Sequence, residues 1–94
     1  MKVLVADDDA ELRELIAFTL SQAGYLVIKA GDGSAAVRLF AAEAPDLVVL
    51  DINMPALSGF QVCEAIRARS RVPVMMLTVR GAAVRGCARA ACAG

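Results

Sequence analysis

The 94-residue chain has no histidine, no tryptophan and a single tyrosine, with only three cysteines and three prolines. Cys63, Cys87 and Cys92 lack metal-ligand spacing and have no histidine to help them, so a zinc site is not expected. Reduced thiols are the expectation instead. Aromatic residues make up 4% of the chain, so any core must be built from Val, Leu, Ile and Ala. No apolar run exceeds the length of a strand, which predicts no membrane span and no membrane partner. Three aspartates follow Met1–Ala6 at once, too soon for a signal peptide. A cytoplasmic location is therefore expected. An excess of one charge is also lacking. Ten basic and ten acidic residues cancel and give no electrostatic case for nucleic acid as a partner of this domain.

What is present is apolar and patterned. Hydrophobic residues form 59% of the chain, far from the composition of disorder, and the length suits one domain. Lys2–Ala6 reads as a short buried strand. Asp9, or Asp8 with Glu11, can cap the helix that follows. In that helix Leu12, Leu15, Ile16, Thr19, Leu20 and Ala23 recur at three and four residues, and Gly24 ends it. Tyr25–Lys29 predicts a second strand, and Gly31-Asp32-Gly33-Ser34 a turn into a second helix before Pro45. Leu47-Val48-Val49-Leu50 runs unbroken into Asp51, as a strand buried on both faces does. Ser58 and Gln61 have capping-box spacing at the start of a third helix, with Val62, Cys63 and Ile66 inward. Val72–Leu77 predicts a fourth strand. This β-α-β-α-β-α-β order implies a parallel sheet with right-handed crossovers and helices on both faces.

The strand ends carry the chemistry. Asp7 and Asp8 follow the first strand, Lys29 the second, Asp51 the third and Thr78 the fourth. If the first and third strands are neighbours, Asp7, Asp8 and Asp51 converge and repel one another. A hard cation relieves that repulsion, and Mg²⁺ suits carboxylates together with a phosphate. An ionised aspartate beside it can attack phosphorus, and Thr78 offers a hydroxyl to a phosphate oxygen.

These residues resemble the receiver domain of two-component response regulators. The resemblance lies in Val5-Ala6-Asp7-Asp8-Asp9, in Val48-Val49-Leu50-Asp51-Ile52-Asn53-Met54-Pro55 with Gly59, in Gly31-Asp32-Gly33, and in Pro73-Val74-Met75-Met76-Leu77-Thr78. It implies a flavodoxin-like, doubly wound α/β fold with strand order 2-1-3-4-5. It implies Asp51 as the phosphoacceptor for a sensor histidine kinase. Asp8 and Asp51 would hold Mg²⁺ through carboxylates, Asn53 through its carbonyl and Asp7 through water, with Thr78 as the switch hydroxyl.

The resemblance covers about residues 1–81, the expected domain core. Residues 82–94 form an Ala/Arg/Gly/Cys-rich tail, in which the spacing of Val84, Cys87, Ala88, Ala91 and Cys92 allows a fourth helix. In the family a fifth strand carrying a lysine and a fifth helix would follow. Here the only lysines are Lys2 and Lys29. The expectation is a C-terminally incomplete receiver with strands 2-1-3-4, its ending a truncation or a frame change. An exposed fourth strand then predicts a homo-oligomer, as an exchanged or tightly associated dimer. Two other readings remain open from sequence. One is a phosphorylation-impaired remnant that acts as a dimerising interaction module. The other is an aspartyl-phosphate-type phosphatase, against which the helix start after Asp9 weighs. On the receiver reading the chain is a phosphoacceptor and not an enzyme.

Overall fold

A computed structural model describes residues 1–51, 54, 57–77 and 84–86. The elements are β1 (Lys2–Ala6), α1 (Ala10–Gln22), β2 (Leu26–Ala30), α2 (Gly33–Glu43), β3 (Leu47–Asp51), α3 (Gly59–Arg67), β4 (Val74–Leu77) and β5 (Val84–Gly86). They form one sheet of order β2-β1-β3-β4-β5, parallel through its first four strands. The expected order 2-1-3-4 is therefore the order found. Among the described residues no helix is long and apolar enough to cross a membrane.

A short fifth strand was not expected. β5 lies antiparallel to β4, with Met76 opposite Arg85, where the sequence had allowed a helix. Two physical reasons account for it. The outer edge of β4 offers unpaired backbone groups that a passing segment can satisfy. Only residues 78–83 separate the two strands, and a parallel crossover needs about a dozen residues or more.

The central strands read as continuous apolar runs because both faces are covered. On one face Leu4, Ala6, Val48, Leu50, Val74 and Met76 pack with Ala36 and Phe40 of α2 and with Val62, Cys63 and Ile66 of α3. On the other, Val3, Val5 and Val49 meet Ile16 and Leu20 of α1. Cys63 is fully buried in the first of these clusters; Cys87 and Cys92, on which the expectation for the thiols also rests, lie outside the described residues.

Half of the periodic positions of the first helix, Leu15, Thr19 and Ala23, are exposed. Leu15 is 61% exposed, as is its neighbour Phe18 at 63%. The helix packs over β1 and β2, where Glu14 meets Lys29 and Arg13 reaches the end of β1. Its opposite flank is left uncovered, and so is Met75 of β4, at 38% exposure.

Helix ends are set by local chemistry. Asp9 caps α1 by accepting from Glu11 N and Leu12 N at 3.0 and 3.2 Å. Gly24, at φ +97°, closes it with a Schellman pair: Gly24 N to Ser21 O and Tyr25 N to Leu20 O. Ser58 and Gln61 make the reciprocal capping box of α3. At the entry to α2, any side chain on Gly33 would run into the Leu57 carbonyl, so this glycine lets the chain after β3 lie against the helix.

The end of α2 is the exception. Ala44 takes a left-handed conformation, φ 49° and ψ 60°, where glycine is the residue that fits without strain. We expect Ala44→Gly to stabilise the fold by about 1 kcal/mol. Thermal unfolding should show a melting temperature roughly 4–8 °C higher. An unchanged or lower value would mean that Ala44 is not strained.

Candidate functional site

The register of the parallel strands builds the site. Ala6 of β1 sits opposite Leu50 of β3, so the next residues, Asp7 and Asp51, emerge side by side at the carboxyl edge of the sheet. Open α/β sheets bind their ligands at this edge. Asp7 is 1% exposed and Asp51 5%, whereas Asp8 is exposed. One carboxylate oxygen from each of Asp7, Asp8 and Asp51 lies within 4.8 Å of the others.

Local geometry holds Asp7 in place. Its backbone N–H donates to Ala30 O at 3.1 Å, and its carbonyl accepts from Arg13 Nη1 at 2.8 Å. Its Oδ1 accepts from Asp9 N at 2.9 Å. Its Oδ2 is buried without a hydrogen-bond donor. Burial, above all, raises the Asp7 carboxyl above the ordinary carboxylate range. The charges of Asp8 and Asp9 push it the same way, while the Asp9 N–H and a hydrogen bond with Asp51 pull it back. Two buried carboxylates, an exposed third and an orphaned oxygen are a donor set suited to a hard divalent cation. The residues therefore fit Mg²⁺, which Asp7, Asp8 and Asp51 would hold.

The other assigned residues separate. Asn53 and Thr78 lie outside the described residues; Thr78 follows Leu77, which pairs with Asp51 across β3 and β4. Lys29 is not a strand end and is no part of the site. It sits inside β2 opposite Val5, with Nζ 3.0 Å from Glu14 Oε1. The other lysine, Lys2, is at the opposite edge, 3.4 Å from Glu43. Asp9 is committed to its helix cap, which leaves Asp8 as the exposed member of the trio. Arg13 had no role assigned from sequence, yet it clamps the Asp7 carbonyl. The available signal was its place one helical turn after the cap, on the flank of α1 that faces β1.

The response regulator receiver domain family matches residues 3–92. A probable transcriptional regulator, ycf27, of Guillardia theta is 50% identical over 80 residues, covering 85% of this chain and 32% of its own. The uncharacterized transcriptional regulatory protein YrkP of Bacillus subtilis is 43% identical over 79 residues, covering 84% and 34%. The chain thus spans about a third of the length of these relatives. Among solved structures, chemotaxis protein CheY4 of Vibrio cholerae superposes with a TM-score of 0.80 at 36% identity, covering 84% of this chain and 68% of that one. Response regulator TrrA of Thermotoga maritima, solved in complex with Mg(2+)-BeF, gives 0.81 at 36% identity, covering 85% and 70%. The family is one of signalling domains and not of enzymes in the usual sense. With the strand order and the carboxylate cluster already in place, the matches identify this chain as a member of the response regulator receiver family, the receiver domain of a two-component system.

Proposed function

We propose that Asp51 accepts a phosphoryl group from the phosphohistidine of a sensor histidine kinase, with Mg²⁺ held by Asp7, Asp8, Asp51 and the Asn53 carbonyl. The observation that carries this reading is the convergence of the Asp7, Asp8 and Asp51 oxygens within 4.8 Å on the ligand-binding edge of the sheet. An Asp51 carboxylate oxygen attacks phosphorus, the P–N bond breaks, and its electron pair returns to the histidine nitrogen. Mg²⁺, when bound, neutralises negative charge on the transferred group. Burial keeps Asp51 in one orientation, and β3 fixes its height beside Asp7. Exposed Asp8 stands on the side from which an ion and a donor can arrive. Thr78, next after Leu77 on the neighbouring strand, is assigned the hydroxyl that follows the phosphate.

Both lysines are engaged by glutamates, Lys2 by Glu43 and Lys29 by Glu14. Phosphorylation should therefore depend strictly on the divalent cation. Incubation with acetyl phosphate and Mg²⁺ should add one phosphoryl mass to the intact protein. The addition should disappear with EDTA and in Asp51→Asn. An addition that survives Asp51→Asn would place the acceptor elsewhere.

A second expectation concerns pH. A carboxyl whose pKa is raised by folding favours the folded state below its unfolded value, and that contribution is lost as pH rises through the raised value. For Asp7 the direction is upward, so the metal-free protein should lose this contribution on going from acid toward neutral pH. Asp7→Asn does not titrate. In EDTA, its melting temperature minus that of the wild type should therefore increase with pH. Saturating Mg²⁺ should close the gap at neutral pH. A difference independent of pH in EDTA would show that Asp7 carries no such penalty.

A further inference from the structure

At the opposite edge of the sheet from the carboxylates, α3 turns into β4 through Arg67-Ala68-Arg69-Ser70-Arg71, and these five residues line an open cleft of about 560 Å³. Three arginines within five positions make a cationic island in a chain whose first 78 residues carry seven basic and ten acidic groups. Only one acidic residue, Glu64, occurs after Asp51. Arg69 and Arg71 are exposed, and neither makes an ion pair among the described residues.

The turn itself is held firmly. Arg67 donates through Nη1 to Ser70 O and through Nη2 to Val72 O. Ser70 Oγ accepts from Val72 N at 3.1 Å. A helix C-terminus would ordinarily repel an anion through its free carbonyls. Here two of those carbonyls are occupied: Glu64 O accepts from Ala68 N, and Ile66 O from Arg69 N and Ser70 N. The repulsive end of α3 is thereby partly masked, and two exposed guanidinium forks stand beside a fixed third. Planar forks of this kind match phosphate oxygens two at a time.

We propose that the α3–β4 turn is a second, cation-lined site that binds a phosphate-bearing polyanion through Arg69 and Arg71, with Arg67 as the residue that shapes the turn. Its ligand is a polyphosphate chain, either free or as the tail of a nucleotide. It lies roughly 15 Å from the carboxylate edge, the length of a five-residue strand, so the two sites can be filled independently.

The test uses the intact chain in EDTA, where no divalent ion can hold phosphate at the carboxylates. Calorimetric titration with tripolyphosphate should show saturable binding that weakens as salt is raised. Arg69→Gln with Arg71→Gln should weaken it about tenfold or more, while Arg38→Gln, on the exposed side of α2, should leave it unchanged. Adenosine triphosphate titrated in parallel distinguishes the sources. Equal affinity means that the polyphosphate alone is read, and tighter binding means that a nucleotide is the ligand. The proposal is overturned if tripolyphosphate does not bind, or if the double variant binds as well as the wild type. It is also overturned if a glutamate peptide of equal charge binds as tightly, which would make this edge a docking surface for acidic proteins.

Discussion

Parallel pairing of β1 with β3 brings Asp7 and Asp51 to the same height on one edge of the sheet, and neither can leave without breaking the ladder that holds it. The apolar strands set this position, because Val3, Leu4, Val5, Val48 and Leu50 must stay inside. Burial of the strands therefore forces burial of the carboxylates at their ends. Desolvation and the nearby charges of Asp8 and Asp9 then make ionisation of Asp7 unfavourable. A folded chain with this sheet order carries a standing demand for positive charge at that edge. Neither lysine meets the demand, since each is held by a glutamate elsewhere. Function, on this account, is the use made of a position that folding makes costly.

The remaining local devices serve the same geometry. Asp9 takes the helix cap, which leaves Asp8 exposed at the trio. Arg13 ties the end of β1 to α1 through the Asp7 carbonyl, and Ala30 of β2 accepts from the Asp7 N–H. Gly33 lets the chain after β3 lie against the start of α2 through Leu57. Each contact limits how far the strand ends can shift relative to one another. Such rigidity suits a site whose event is the arrival of one group on one oxygen.

Much of this was legible in the sequence, for identifiable reasons. A four-residue apolar run ending in Asp51 reads as a doubly covered strand because nothing else accommodates it. The caps at Asp9 and Ser58 were readable because their chemistry is local. Leu15 was misplaced because periodicity identifies an apolar stripe without saying which flank of it finds a neighbour. Lys29 was misplaced because the end of β2 falls one residue later, at Ala30, and alternation then sends the lysine toward Glu14. Val84–Gly86 was misread because Val84 was taken with the later Cys and Ala at helical spacing, whereas its strand preference is satisfied at the open edge of β4. Arg13 was missed because its place one helical turn after the cap is a weak signal for a carbonyl six residues back.

The central claim is that burial and the charges of Asp8 and Asp9 disfavour ionisation of Asp7, and that a divalent cation relieves this. Titration of the Asp7 carboxyl carbon by NMR, with and without Mg²⁺, tests it most directly. The account predicts a midpoint above that of an ordinary aspartate in EDTA and a marked fall when Mg²⁺ is added. An Asp7 that titrates as an exposed aspartate does, with or without the ion, would contradict it.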